Sequence, residues 1–365
     1  MPSGPKYLTY APWQGQLNNT RMCFETALVF AWLSRRILVL PAEYRREHEP
    51  EIDNGRFRPL HPAECYTIEK LDGIVQIISR DEYDRRIARE RTDRFELTIV
   101  PETTVFCFPA IPAAGSPEAG RLRDFAASRE RILEFTPEMT ASRTLHLAGG
   151  VLDHFYCLFF FTQPEIEAEC KRLVKNCVRF REPIVQAAAR IAESLGEYHA
   201  LHVRRNDFFQ LYPEQNISCN RVLGNVMMHI PTGARLYVAT DETDRCYFAD
   251  LAAHYDLCFI DDFRRDLGDE LPGGATACVE QMVCASATTF IGTRLSTFSA
   301  YIGRLRGYCG ANDQRIHFTD GAPGSEMDDY GSPAFSWMNW CRAGYPLWGR
   351  EFREGWAESR AICRS

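Results

Sequence analysis

Two adjacent arginines follow a strand-like run in the segment LHVRRNDF, residues 201–208. The apolar residues predict a buried strand that delivers Arg204, Arg205 and Asp207 at its carboxyl end, which is where open α/β sheets bind ligands. A guanidinium is a planar fork of donors that fits phosphate oxygens, so the segment indicates a site for a phosphate-bearing ligand. Because side chains alternate along a strand, His202 and Arg204 should share one side while Arg205 faces the other. The alternative interpretation is a solvated strand end held by an ion pair.

A second segment, TTFIGTRLSTFSAYIGRLRG at residues 288–307, combines a strand, a turn and a helix start. Ser296 or Thr297 would serve as the N-cap of that helix. The amide groups at such a helix start suit an anion such as a diphosphate. Arg294 adds a further candidate cation. An ordinary cap that holds no ligand is the alternative.

The third candidate is the loop WQGQLNNTR, residues 13–21, between the first predicted strand and the first predicted helix. Gly15 permits a close approach of the backbone to a ligand. Asn18 offers amide donor and acceptor groups, and the helix should begin near Arg21. A helix-entry turn without a ligand would have the same sequence.

Two acidic residues in the second half complete the set of candidates. Asp241 follows the strand-like run RLYVAT on the predicted ligand edge, or it caps the next helix. Glu280 lies on a predicted helix before the Ser/Thr turn. Its carboxylate could accept hydrogen bonds from a guanine edge, or it lies on a solvated helix face.

Strand-like and helix-like runs alternate along the chain, which is typical of a parallel sheet covered by helices. The clearest predicted strands cover residues 198–205, 235–240, 257–261 and 288–292. We therefore predict an α/β fold with two Rossmann-like domains that face a central cleft. The predicted domains are residues 1–180, residues 181–325, which have the pattern of a nucleotide-binding domain, and a segment, 326–365, that packs across both.

Composition limits the function classes. The 365 residues carry a net charge of −7 with a pI near 5.8, which disfavours a broad electrostatic grip on nucleic acid or anionic lipid. No apolar run of about 20 residues is present, so no membrane span is expected.

The absence of a leader-like start favours a soluble, cytoplasmic protein with its 14 cysteines as free thiols, or a secretory lumen if a leader has been removed. No Cys/His cluster has zinc-ligand spacing, so no zinc site is expected.

Four segments resemble the GDP-fucose protein O-fucosyltransferase superfamily, which includes α1,6- and α1,2-fucosyltransferases. The segments, whose order and spacing also match the family, are GQLNNTRMCFETALVFAWLSRRILVLP, ALHVRRNDFF, YVATDET and EQMVCASATTFIGTRLSTFSAYI. The resemblance runs from about residue 7 to residue 310. It implies a GT-B-like fold, with the acceptor on the side of residues 1–180 and the GDP-sugar in residues 181–325. It also implies inversion at the sugar carbon and no need for a divalent metal or other cofactor.

The resemblance also implies roles for individual residues. Arg204 matches the family's arginine that binds the β-phosphate and the glycosidic oxygen, so it is the predicted catalytic residue. The other predicted contacts to GDP-fucose are Gly15, Asn18, His202, Arg205, Asp207, Asp241, Glu280, Arg294, Ser296, Thr297 and Phe298. Together these residues predict a donor site for GDP-fucose.

The chain departs from the family at the glycine-rich loop. Some members carry a glutamate there as the general base, whereas this sequence has Trp13-Gln14-Gly15-Gln16. An amide cannot take a proton at neutral pH. Either a phosphate oxygen accepts the proton, or a carboxylate such as Glu25 or Asp207 does.

The expected function is therefore an inverting, metal-independent fucosyltransferase that uses GDP-fucose and a hydroxyl acceptor, a serine or threonine of a protein. A glycan acceptor is the first alternative. A non-catalytic GDP-sugar-binding protein is the second, because the loop carboxylate is missing.

Overall fold

The computed structural model describes residues 4–13, 16–43, 60–68, 73–87, 93–100, 103–127, 129–150, 154–206, 208–211, 213, 216–268, 270–272, 274–293, 296–309 and 316–318. The described chain forms two compact units, one that ends at Arg181 and one that begins at Glu182. Gly15, Asp207, Arg294 and the segment 326–365 lie outside the described residues, so what the sequence predicts for them stays a prediction.

The N-terminal unit contains eight described strands and seven described helices. Its strands are β1 Tyr7–Tyr10, β2 Ile37–Val39, β3 Ile77–Ile78, β4 Arg94–Thr98, β5 Thr104–Phe108, β6 Arg131–Leu133, β7 Thr144–Ala148 and β8 Phe159–Phe161. Its helices are α1 Leu17–Ser34, α2 Pro62–Cys65, α3 Arg80–Ile87, α4 Pro117–Phe125, α5 Pro137–Ala141, α6 Phe155–Leu158 and α7 Pro164–Cys177. A five-stranded parallel sheet has the order β3-β2-β1-β7-β4, and a separate parallel sheet has the order β6-β5-β8.

Helix α1 begins at Leu17, earlier than the predicted start near Arg21. The first turn holds because it is covered by the rest of the unit: Asn18 is only 5% exposed, and the Thr20 hydroxyl donates to the Leu17 carbonyl at 2.8 Å. Asparagine is a weak helix former, so the sequence favoured a loop here, but tertiary burial overrides that preference.

The C-terminal unit is built on one five-stranded sheet. Its strands are β9 His199–Val203, β10 Arg235–Thr240, β11 Asp256–Cys258, β12 Phe290–Thr293 and β13 Ile316–Phe318. Its helices are α8 Glu182–Leu195, α9 Phe208–Leu211, α10 Cys219–Met227, α11 Ala249–Ala252, α12 Arg264–Leu267, α13 Thr276–Ser286 and α14 Thr297–Tyr308, with 3-10 helices at Arg245–Phe248 and Ile260–Phe263.

All five strands of this sheet are parallel, in the order β11-β10-β9-β12-β13. Strand β9 is therefore central, and the chain direction across the sheet reverses beside it. Such a reversal opens a crevice at the carboxyl ends of the strands, where doubly wound sheets bind ligands. One face of β9 and β10 packs on α10 and α11 through Leu201, Val203 and Leu236, while α13 packs against the same two strands and α8.

The predicted α/β class with parallel sheets is confirmed. Strand β10 has the predicted bounds, whereas β11 is shorter than predicted because residues Ile260–Phe263 turn into a 3-10 helix. The cleft between domains that the resemblance implies stays a prediction.

Candidate functional site

Arg204 stands at the end of the central strand, where two neighbouring strands hold it. The last pair of the β9–β10 ladder is Val203 with Thr240. Past that pair, the Arg204 guanidinium donates through Nη1 to Oδ2 of Asp241, the residue directly after β10. The two side chains are only 13% and 15% exposed, so water screens their attraction weakly. The arginine is therefore held in place at the edge where the sequence predicts the ligand.

Asp241 organises the chain that follows β9. Its Oδ1 accepts the amide hydrogen of Arg205 at 2.7 Å, and its backbone carbonyl accepts from the Asn206 side chain at 2.6 Å. Asn206 has a left-handed backbone, with φ of 41°, which an asparagine tolerates better than most residues. The cap of the next helix is Asp244, whose carboxylate accepts from the Cys246 amide. The capping alternative for Asp241 is therefore wrong.

Arg205 faces away from this pair. Its Nε donates to Glu242 at 2.8 Å, and its guanidinium lies 3.8 Å from the ring centre of Tyr247 and 4.8 Å from that of Phe209. A planar cation stacked on aromatic rings and bonded to a carboxylate is already well satisfied. Arg205 thus anchors the loop after β9 to the segment after β10, which confirms that it points away.

His202 lies against the first turn of α14. Its Nδ1 is 2.7 Å from the Ser299 hydroxyl, and its ring centre is 4.6 Å from that of Phe298. The Ser299 hydroxyl also accepts the amide hydrogen of Thr293 at 2.9 Å. These contacts place the helix start next to the end of β9, as a shared phosphate site requires.

The start of α14 has the predicted position. Ser296 is its N-cap residue and is 5% exposed, although its side chain makes no capping hydrogen bond within the described part of the chain. Thr297 and Phe298 form the first helical turn. The first amide groups of a helix lack intrahelical partners and carry partial positive charge, so this turn could bind an anion.

Thr293 and Ser299 are the site residues that sequence reasoning missed. The Thr293 hydroxyl donates to the His202 carbonyl at 2.8 Å and accepts the amide hydrogen of Arg204 at 2.9 Å. Their types and positions, a threonine that ends a strand and a serine in the next helical turn, were visible in the sequence. Nothing local, however, distinguishes them from ordinary buried hydroxyl residues.

Glu280 is buried, so the solvated-face alternative is wrong. The residue is 6% exposed and lies on α13, where its Oε1 accepts from the Tyr237 hydroxyl at 3.5 Å. Burial, and then the neighbouring carboxylate, raises the pKa of Tyr237 well above its usual value. The next residue, Gln281, donates to the Phe298 carbonyl at 3.5 Å, which ties this part of α13 to the start of α14.

The first loop offers a different setting for two candidates in the N-terminal unit. Asn18 is buried in the first turn of α1 rather than exposed in a loop. Glu25, a candidate base, is 1% exposed and accepts from Arg21 Nε at 2.6 Å. The Glu25 carboxylate is thus already bonded to a cation and shielded from solvent, which disfavours it as the group that meets an acceptor hydroxyl.

No three His, Cys, Asp or Glu side chains in the described part of the chain are placed to hold a metal ion. None of the described helices is both long and apolar enough to cross a membrane.

Three solved fucosyltransferase structures are similar to this chain at low sequence identity. POFUT1 in complex with GDP-fucose is 14% identical, with 87% of this chain and 99% of that chain covered and a TM-score of 0.48. The NodZ α1,6-fucosyltransferase crystallised with GDP is 15% identical, with 83% and 93% covered and a TM-score of 0.46. The fucosyltransferase NodZ from Bradyrhizobium is 16% identical, with 83% and 94% covered and a TM-score of 0.45. No curated protein matches this chain.

The family itself is defined by sequence. Residues 7–309, most of the chain, match the family described as GDP-fucose protein O-fucosyltransferase. The match spans both units and includes the described candidate residues of each, Asn18 in the first and those from His202 to Ser299 in the second. The chain therefore belongs to the GDP-fucose protein O-fucosyltransferase family and is a GDP-fucose-dependent glycosyltransferase.

Proposed function

We propose that this enzyme transfers fucose from GDP-fucose to the hydroxyl of a serine or threonine in a protein, with inversion at the sugar carbon and without a metal ion. One observation carries the proposal: Arg204 is fixed at the carboxyl end of β9, beside the start of α14. Family membership supports the donor. The acceptor and the course of the reaction rest on the resemblance in sequence.

The chemistry follows from the charge that develops on the leaving group. When the bond between the fucosyl carbon and the β-phosphate oxygen breaks, GDP leaves with the electron pair and the sugar becomes oxocarbenium-like. Arg204 would donate to the β-phosphate, and the amide groups at the start of α14 would hold the diphosphate. A preorganised cation of this kind would stabilise the charge on the leaving phosphate without a divalent metal.

The proton of the acceptor hydroxyl needs a destination. The acceptor oxygen forms the new bond to the sugar carbon while its proton leaves. Glu25 is buried and paired with Arg21, which disfavours it as the base. A phosphate oxygen of the departing GDP is therefore our preferred proton acceptor in a dissociative pathway, and Asp207 is the second candidate.

The nucleotide would be held by residues around β9 and α14. His202 and Phe298 lie together, with ring centres 4.6 Å apart, and would contact the nucleotide beside the proposed diphosphate site. The buried carboxylate of Glu280 would accept hydrogen bonds from guanine N–H groups, for which a carboxylate is a suitable partner. This arrangement would favour GDP over UDP.

The test is a thermal-shift series with GDP, GDP-fucose, GDP-mannose and UDP-sugars, followed by a GDP-release assay with and without EDTA. A ligand at a hundredfold excess over its Kd stabilises the folded state by about 2.7 kcal/mol. We therefore expect GDP and GDP-fucose to raise Tm, and to raise it more than GDP-mannose or the UDP-sugars do. Activity should persist in EDTA. Equal stabilisation by UDP-sugars would overturn the donor assignment, and loss of activity in EDTA would overturn metal independence.

The acceptor is tested separately. Proteins and free glycans are offered with GDP-fucose, and the fucosylated product is located by mass spectrometry. Transfer to serine or threonine supports the proposal. Transfer to a glycan alone assigns the glycan-directed alternative, and GDP binding without any transfer assigns a non-catalytic GDP-sugar-binding protein.

A further inference from the structure

Strands β9 and β12 separate just before the predicted catalytic residue. Their ladder pairs Phe290 with Ala200 and Ile291 with Leu201. Beyond that point the Thr293 side chain bridges the two strands, because its hydroxyl donates to the His202 carbonyl and accepts the amide hydrogen of Arg204. One hydroxyl thus takes the place of the next backbone bonds in the ladder.

Thr293 is itself rigidly held. Its side chain is fully buried, and a β-branched residue has few χ1 conformations. Its amide hydrogen is bonded to the Ser299 hydroxyl, which also bonds His202 Nδ1. The bridge therefore connects the backbone of Arg204 to the helix start that would bind the diphosphate.

The two ends of Arg204 are held by different strands. Asp241, after β10, holds the guanidinium, and Thr293, at the end of β12, holds the backbone amide. An arginine has four rotatable side-chain bonds, so a fixed guanidinium alone leaves the backbone free to shift. Displacements of about 1 Å at a reacting group cost about a hundredfold in rate.

We propose that Thr293 is a positioning residue, which acts through Arg204 to place the guanidinium on the leaving phosphate. The proposal rests on the proposed function, since it gives Thr293 a part in that reaction. It differs from a purely structural role, in which the hydroxyl only satisfies two buried backbone groups. A structural role predicts loss of stability without a specific loss of kcat.

The experiment compares Thr293→Val, which is nearly isosteric but lacks the hydroxyl, with Thr293→Ser, which keeps it. The matched control is Thr144→Val in the N-terminal unit. This buried strand threonine loses a hydrogen bond between its hydroxyl and that of Tyr83. We expect Thr293→Val to lower kcat about tenfold to a hundredfold, with the Kd for GDP within about threefold of wild type. Thr293→Ser should recover most of kcat, and Thr144→Val should lower Tm without changing kcat.

A double-mutant cycle tests whether the effect passes through Arg204. In an Arg204→Ala background, Thr293→Val should change kcat by less than about threefold, because the group that it positions is gone. Equal effects in both backgrounds would overturn the proposal. So would a Thr293→Val enzyme that is destabilised like the Thr144→Val control but keeps its kcat.

Two further measurements cover a Thr293→Val variant that does not fold and an enzyme that does not use GDP-fucose. If Thr293→Val does not fold, Thr293→Cys retains the volume with a weaker hydrogen-bonding group, and an unchanged kcat in that variant would overturn the proposal.

Failure of the proposed function would appear differently, as a wild-type enzyme that does not turn over GDP-fucose. In that case, amide exchange at Arg204 is compared in wild type, Thr293→Val and the Thr144→Val control. Faster exchange at Arg204 in Thr293→Val alone supports positioning, and an unchanged rate, or an equal acceleration in Thr144→Val, overturns it.

Discussion

Arg204 and Asp241 form a pair in which one carboxylate fixes both a side chain and the peptide that follows it. Oδ2 accepts from the Arg204 guanidinium, and Oδ1 accepts the amide hydrogen of Arg205 at 2.7 Å. The pair is mostly buried, at the edge of the sheet where a diphosphate would bind. Its geometry leads to the first two predictions.

Replacement of Arg204 by alanine should lower turnover by roughly two to four orders of magnitude, since a preorganised donor to a developing charge typically contributes that much. GDP release from GDP-fucose with saturating acceptor measures the effect. The control is Arg264→Ala, a change at an exposed arginine that is 72% accessible. Near-wild-type turnover by Arg204→Ala would remove this residue from the mechanism.

Asp241→Asn should lower kcat without weakening the binding of GDP. The amide keeps the shape and an oxygen for the Arg205 amide, but its NH₂ group cannot accept from the Arg204 guanidinium. The freed arginine should place its charge less well, which lowers kcat about tenfold to a hundredfold. Removal of a negative charge beside the diphosphate should leave the Kd for GDP unchanged or lower.

Calorimetry with GDP and steady-state kinetics measure these two quantities. Asp256→Asn is the matched control, because that carboxylate is exposed and pairs with Arg235 on the surface. A weaker affinity for GDP in Asp241→Asn, with kcat unchanged, would contradict the positioning role of this carboxylate.

Gly292 and Gly303 should respond to alanine in opposite ways. A Cβ on Gly292 would stand 2.8 Å from the Cβ of Ser299, which is tied to the α14 backbone and cannot move alone. Overpacking of this kind typically costs 1–3 kcal/mol, so Gly292→Ala should lower the free energy of unfolding by about that amount and displace Ser299 from His202. Gly303 lies inside α14, and apart from that helix's own backbone no atom of the described residues stands within 4 Å of the added carbon.

Gly303→Ala should therefore raise the free energy of unfolding, by about 0.5–1 kcal/mol, because alanine is the better helix former. Urea denaturation of the two variants measures both effects. If Gly292→Ala were as stable as wild type, the close packing of β12 on α14 would be incorrect.

Thiol reactivity should follow burial. Burial raises the pKa of Cys23 to about 12 and that of Cys107 to about 12, so both thiols stay protonated at pH 8. Cys246 and Cys309 are exposed. Because the thiolate is the reactive form, iodoacetamide should label the exposed pair in the native protein and the buried pair only after unfolding.

The same shifts set a pH dependence. A thiol whose pKa is higher in the folded than in the unfolded state contributes stability that is fully present below the unfolded value, near 9. That contribution is lost as the pH rises from there toward about 12. The urea concentration at the unfolding midpoint should therefore begin to fall above about pH 9. In Cys23→Ala this fall with pH should be less steep. Rapid native labelling of Cys23 would contradict its burial.

Local sequence determined much of the C-terminal unit. The run RLYVAT has predicted and observed bounds that agree, and the predicted strand ends deliver Arg204 and Asp241 to one edge of a parallel sheet. This worked because apolar runs between turn signals define strands, and because parallel strands bring their carboxyl ends together. The motifs around Arg204 and Ser296 likewise identified the family.

Tertiary structure decided which groups bind one another. Asp241 lies 37 residues from Arg204, Thr293 lies 89 residues away from it, and Ser299 lies 97 residues from His202. Such pairs depend on the order of the strands and on the register between them, which no short segment encodes. For the same reason, only the folded chain could bury Glu280 and turn Asp241 from a helix cap into the partner of an arginine.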